Sequence, residues 1–133
     1  MRLVNYGCGE MADRLTILAL KLLIGKEQGK PTDHFRNERN ALITQLNARE
    51  TCGPWLEHLF ELSAVNAALW HAEDDLRELR GSWEGFKDAA ALGAAGIAGE
   101  LAFRIQALND QRAALVGLIN EKAGDGTTQE KLT

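Results

Sequence analysis

Leu59-Phe60-Glu61-Leu62-Ser63-Ala64-Val65-Asn66-Ala67-Ala68-Leu69-Trp70-His71-Ala72-Glu73-Asp74-Asp75-Leu76 contains no glycine or proline and repeats its large apolar residues at helical spacing. Successive residues turn about 100° around a helix axis, so Leu59, Leu62, Leu69, Trp70 and Leu76 share one arc. Asn66 and Glu73 fall inside that same arc. His71, Asp74, Asp75 and Glu78 point elsewhere and read as solvated surface. The string His71-Ala72-Glu73-Asp74 is therefore no convergent metal site, because His71 and Glu73 project to nearly opposite sides. An amphipathic helix of this length must bury its apolar face on other helices, and the rest of the chain supplies them.

Working outward, Pro54 opens this segment as a good first-turn residue, and the helix is expected to run to about Arg80-Gly81. Pro31 and Pro54, the two prolines, fall where the periodicity breaks and separate helices rather than kink them. A first helix is expected from about Gly9 to Gln28, stopping in Gly29-Lys30-Pro31. A second starts after Thr32 or Asp33, whose side chains suit an N-terminal cap, and ends near Cys52-Gly53. Ser82 to Gly99 reads as a loop with one short helix. Gly85, Gly93, Gly96 and Gly99 within it each weaken a helix by roughly 1 kcal/mol relative to alanine. The helical pattern returns from about Glu100 to Lys122 and ends at Gly124-Asp125-Gly126. No strand-like alternation and no internal repeat occurs. The expected fold is all-α, an antiparallel bundle of about four long helices, with one domain over residues 1–124 and a polar tail over 125–133.

With 133 residues and 14.6 kDa the chain has the size of one domain. A formal charge of −4 and a pI near 5.4 argue against a dedicated binder of nucleic acid polymers, which needs concentrated positive charge. Cys8 and Cys52 lack the spacing of a zinc site or a disulfide framework and read as two reduced thiols. The opening residues are too short and polar for a signal peptide, and Leu15 to Ile24 is too short to span a bilayer. The expectation is a cytoplasmic protein that engages no membrane and holds no cofactor or metal.

In the last helix Leu101, Ile105, Leu108, Leu115, Val116 and Ile119 make the apolar arc, with Arg112 at its middle and Asn109 at its edge. Arg39 lies among Phe35, Leu42, Ile43 and Leu46 of the second helix. A charge buried without a partner costs several kcal/mol, so these groups must pair, reach solvent or meet a ligand. Glu73 and Arg112 are the natural pair on this arithmetic. The first helix carries Glu10, Asp13, Arg14 and Lys21 on one stripe, and Met11, Leu15, Leu18, Ala19, Leu22 and Leu23 on a broad apolar arc. The stripe is either a solvated face or the border of the cavity that Asn66, Glu73 and Arg112 would line.

Three strings carry a family resemblance: Gly9-Glu10-Met11-Ala12-Asp13-Arg14-Leu15-Thr16-Ile17-Leu18, Val65-Asn66-Ala67-Ala68-Leu69-Trp70-His71-Ala72-Glu73-Asp74, and Leu108-Asn109-Asp110-Gln111-Arg112 with Ile119-Asn120. Together they resemble a family of small helical proteins numbered six-one-six-five among domains of unknown function, with a looser likeness to four-two-five-four. The likeness covers roughly Gly9 to Gly124, and the Ala/Gly-rich segment does not match it. Members are bacterial and phage-type proteins without established activity, sometimes beside carbohydrate-modifying genes. The resemblance implies a helical fold and marks Glu10, Asp13, Asn66, Trp70, Glu73, Asn109 and Arg112.

Three functions follow as alternatives. In the first, the chain binds a small anionic ligand, a nucleotide or phosphorylated sugar, in an interhelical polar pocket. Arg112 and Arg39 would meet phosphate, Trp70 would offer a stacking face, and Asn66 and Asn109 would read polar edges, with Glu10, Asp13 and Glu73 completing the site. In a phage setting such a site would sequester a host nucleotide signal. In the second, a polar core network sets helix register in a homo-oligomer, whose subunits pack through the Ala/Gly-rich segment and the broad arc of the first helix. In the third, the chain hydrolyses nucleotides with Mg²⁺, although it offers Glu10-x-x-Asp13 and Glu73-Asp74 rather than the paired acidic clusters of all-helical pyrophosphatases. No serine or cysteine has the base-and-orienter context of a nucleophile.

Overall fold

Four helices follow in order: α1 (Cys8–Glu27), α2 (Asp33–Asn47), α3 (Leu56–Trp83) and α4 (Ala89–Ala123). The computed structural model describes residues 7–49, 55–83 and 89–124, the side chains of 82, 83 and 89–92 excepted, and these residues contain no strand. The fold is all-α, as the helical period requires. Cys52, Gly53, Pro54 and the polar tail at 125–133 lie outside the described residues.

The turn between α1 and α2 is written into Gly29. Its φ of 68° is the left-handed conformation that glycine adopts without steric cost. The Lys30 N–H reaches the Gly25 carbonyl at 2.9 Å and the Gly29 N–H reaches the Lys26 carbonyl at 3.2 Å, which satisfies two carbonyls left open at the helix end. The N-terminus of α2 departs from expectation. The Thr32 side chain makes no cap hydrogen bond, and Asp33 pairs with Arg36 one turn on. Helix α2 also ends sooner than the sequence suggested, at Asn47.

Ala89 to Gly99 is helix, not loop. Alanine is the best helix former, and α4 has a reason to extend: Ala94, Ala98, Leu101, Ile105, Leu108, Arg112, Leu115 and Ile119 alternate three- and four-residue steps along one side. Helix α3 carries the matching row Leu62, Val65, Leu69, Ala72, Leu76 and Leu79. The two rows make the seam of a long antiparallel hairpin. Packing along it offsets the cost of Gly93, Gly96 and Gly99, all exposed.

Helix α1 lies across this hairpin, not along it. Its start meets the end of α4, where Gly9 approaches Val116 and Asn120. Its middle meets Asn66 and Arg112 through Asp13. Its later turns, at Leu15 and Ala19, border Leu56, Leu59 and Phe60 near the beginning of α3. Because the end of α4 and the start of α3 lie at the same end of an antiparallel hairpin, contact with the one from the first turn of α1 and with the other from its middle sets the helix across the hairpin. Helix α2 packs on α1 alone among the helices. The core gathers at the crossing: Cys8, Met11, Ala12 and Leu18 of α1 pack with Leu42, Leu46, Trp55, Leu62, Leu115 and Ile119. Among the described side chains between Ala72 and Leu115 along the chain, Ala94 alone is fully buried.

Candidate functional site

At the crossing, α1 contributes Asp13 and Thr16, α3 Asn66 and α4 Arg112. Arg112 grips the Asp13 carboxylate with both arms of its fork: Nε donates to Oδ1 at 2.8 Å and to Oδ2 at 3.0 Å, and Nη2 donates to Oδ2 at 2.5 Å. Asn66, 3 % exposed, spends both amide hydrogens on α1, donating to Asp13 Oδ1 at 2.8 Å and to Thr16 Oγ1 at 2.6 Å. The Thr16 hydroxyl donates in turn to the Asp13 carbonyl at 2.8 Å. Side-chain exposure is 14 % for Asp13 and 34 % for Arg112, so the pair sits at the edge of the interior with one side open to water. The hydrogen bond to Asp13 raises the Arg112 pKa against the opposing effect of burial, and the Asp13 and Glu73 charges add to it.

A second polar contact anchors the start of α1. Gly7 precedes the helix without a side-chain cap, and Asn120 of α4 supplies one. Its Oδ1 accepts the Gly9 N–H at 2.7 Å, while its Nδ2 donates to both Glu10 carboxylate oxygens at 3.0 Å. The helices touch so closely here that a Cβ on Gly9 would lie 2.2 Å from the Val116 carbonyl oxygen, and one on Gly7 2.3 Å from Asn120 Oδ1. At Gly9 the obstacle is backbone and leaves room for glycine alone, whereas at Gly7 the obstacles are side-chain ends that would have to move aside.

The other two charged groups of the stripe, Arg14 and Lys21, face α2. Arg14 Nε and Nη2 donate to the two Glu38 oxygens at 2.6 and 2.9 Å, and the Lys21 ammonium lies 5.4 Å from the centre of the Phe35 ring. The Arg14 hydrogen bond lowers the Glu38 pKa against desolvation, with Lys21 and His34 contributing in the same direction. The stripe on the first helix is therefore neither a solvated face nor a cavity wall. It is divided among three neighbours.

Of the sequence candidates, the structure brings Asp13, Asn66 and Arg112 together and joins Glu10 to Asn120. It does not bring Arg39, which hydrogen-bonds its neighbour Asn40 from a helix that touches neither α3 nor α4. Glu73 and Asn109 are exposed, and Trp70 is half-buried one turn from Asn66. The partner of Arg112 is Asp13 and not Glu73. On α3, Asn66 and Glu73 lie at nearly the same angle beside the seam toward α4, but Asn66 lies under α1, where it meets Asp13 and Thr16, whereas Glu73, seven residues further along, has no helix over it and is exposed.

Two residues of this arrangement escaped the sequence reading. Thr16 is a small polar residue indistinguishable by type from surface threonines. Asn120 had a signal: a glycine-flanked helix start with no Ser, Thr, Asp or Asn to cap it asks for a donor-satisfying group from elsewhere. Cys8 is 1 % exposed, with Arg49 Nη1 donating to its sulfur at 3.5 Å. Among the described residues no three His, Cys, Asp or Glu side chains converge as metal ligands, and no helix is long and apolar enough to cross a membrane.

The crossing is thus a set of groups that satisfy one another, in which the arms of Arg112 that could hold a phosphate are turned to Asp13. No protein-family model, curated protein or solved structure matches the chain.

Proposed function

We propose that this chain is a self-associating helical module in which the polar crossing fixes the geometry and exposed apolar surface joins one copy to another. The supporting observation is the contrast between polar and apolar groups. The crossing pairs its charges internally, whereas open apolar grooves flank Phe60, itself 78 % exposed. One groove runs between α1 and α3 past Leu15, Ala19 and Leu59, the other between α3 and α4 past Ala64, Val65 and Ala114. Isolated exposed apolar residues are ordinary; contiguous ones mark contact surfaces.

The anion-binding alternative requires Arg112 to exchange Asp13 for phosphate. Both readings meet one experiment, thermal unfolding at several protein concentrations with and without a panel of nucleotides and sugar phosphates. Self-association makes Tm rise with protein concentration. A ligand at 100 times its Kd would add about 2.7 kcal/mol, on the order of 10 °C for a domain of this size. The expected result is a concentration-dependent Tm that no anion moves. A shift of that size with a nucleotide, lost in Arg112→Lys, would overturn the proposal in favour of the ligand site.

A further inference from the structure

Helix α2 is joined to the fold differently from the other three. Of its fifteen residues only Leu42 and Leu46 are buried, against seven buried residues in α1. Among the helices it packs on α1 alone. The two run antiparallel from the turn at Gly29, because their points of contact march back along α1. Thr32 lies close to Gly25, the Phe35 ring faces Lys21, and Glu38 takes the fork of Arg14. Arg49, two residues past the end of α2, donates to the Cys8 sulfur. Arg14, Lys21 and Gly25 stand on one stripe of α1 with Leu18, which is fully buried. The ties that hold α1 to the hairpin, Gly9 to Asn120, Asp13 to Arg112 and Thr16 to Asn66, do not pass through α2.

We propose that α2 is an acid-sensitive latch, held closed on α1 by the fork between Arg14 and Glu38 and released when Glu38 takes up a proton, while the crossing stays folded. The Glu38 side chain is 17 % exposed. The charges acting on it are positive: Arg14 and Lys21 from α1, and His34 from the preceding turn of α2. As a carboxylate it accepts both Arg14 bonds and offsets these charges; as a neutral acid it does neither. The same surroundings hold its pKa below the ordinary carboxylate value while α2 is closed. The open form therefore binds the proton more tightly, and acid shifts α2 toward it.

What release uncovers follows from the order of those contacts. Leu42 and Leu46 leave the core, the side of α1 around Leu18 is bared, and the Cys8 thiol, 1 % exposed, loses the Arg49 side chain beside it. A fifteen-residue helix is marginal in water by itself, so a released α2 unwinds and its amide hydrogens exchange in that event. The crossing keeps its own hydrogen bonds and its contacts with α3 and α4, and amides there wait for the whole fold to open.

Hydrogen exchange on the full chain, followed residue by residue at about pH 6 and about pH 3.5 and corrected for the intrinsic effect of pH, tests the latch against Glu38→Gln. In the wild type the α2 amides should exchange faster than those of Leu62 and Ile119. Their protection should fall by about fivefold on acidification, within the limit of about tenfold per pH unit that one proton allows. In Glu38→Gln the α2 protection should already be lower at the higher pH and should lose that response. A second readout is the Cys8 thiol in a Cys52→Ser chain, which should react with a thiol reagent several-fold faster at the higher pH once Glu38→Gln is added. Exchange of α2 in step with Leu62 and Ile119 overturns the proposal, because α2 would then open only with the whole fold. An acid response that persists undiminished in Glu38→Gln overturns it as well, because the fork would not be what holds α2 closed.

Discussion

The two ends of the α3–α4 hairpin are built from the same kinds of residue and differ in what covers them. At the crossing, α1 lays Met11, Ala12 and Leu18 onto Leu62, Leu115 and Ile119, all buried, and ties the three helices with Asp13, Asn66, Arg112 and Asn120. In the outer arm, from Ala72 to Trp83 and back along α4 to Leu108, the two helices have only each other among the described residues, and Leu76, Leu79, Leu101 and Ile105 stay half-buried. A helical period specifies that a residue faces inward; a third helix decides whether inward means dry. The crossing should accordingly unfold as one cooperative unit and the arm should open locally before it.

The largest expected effect breaks the crossing. Gly9→Ala puts a methyl group where the Val116 carbonyl stands and should cost about 3 kcal/mol or more in denaturant unfolding, because the obstacle is backbone and cannot rotate away. Gly99→Ala, in the outer arm, meets open space and should instead stabilise by about 0.5–1 kcal/mol. If both changes were neutral, the close approach of α1 to α4 would be wrong.

Next in size is the clasp. Asp13→Ala should cost about 2–3 kcal/mol, less than a fully dry ion pair because Arg112 keeps access to water, and Arg112→Met should cost about the same. The double variant should cost distinctly less than their sum, since each single change leaves the other charge without its partner. Strict additivity would show that the two side chains do not meet.

Smaller still, Leu76→Ala should lose only about 1–2 kcal/mol, below the range of a dry core leucine, and should speed amide exchange in the arm while leaving exchange at Leu62 and Ile119 unchanged. The smallest effect belongs to α2. Glu38 has a lowered pKa in the fold, so its pairing with Arg14 stabilises the protein above the ordinary carboxylate range and is lost as pH falls through the folded value. The wild type should therefore lose stability between about pH 5 and 3 more steeply than Glu38→Gln, measured by unfolding across that window. Parallel pH profiles would show that the pair contributes nothing.

The sequence read well where a local rule was sufficient. Gly29 and Pro31 marked the first turn, the leucine spacing made α3 a helix, and Asn66 and Arg112 were singled out as polar groups on apolar faces. It misread the partner of Arg112 because a helical wheel treats every helix as straight and wrapped evenly by neighbours, whereas α1 touches the hairpin along one diagonal. Glu73 and Asn66 have nearly the same angle, and only Asn66 lies under α1. The Ala/Gly-rich run was misread for the opposite reason. Its glycines argue locally for a loop, and the decisive fact, a matching seam on α3, lies in residues far away in the chain. Asn120 combines both difficulties: its effect is a helix cap, yet it acts on a helix at the other end of the sequence.

That cap sets an order of events during synthesis. Gly9 and Asn120 are separated by 111 positions, so at about 5–20 residues per second the first turn of α1 waits roughly 6–20 s before the amide that closes it has been made. Throughout that interval the N–H groups at the start of α1 are served by water, while its later turns can already lie on α2 and α3. A nascent chain stalled short of Asn120 would hold α1 beside α2 and α3 with its first turn uncapped and the place of Ile119 in the core unfilled, the kind of surface that chaperones recognise. The protein completes its first helix by translating its last.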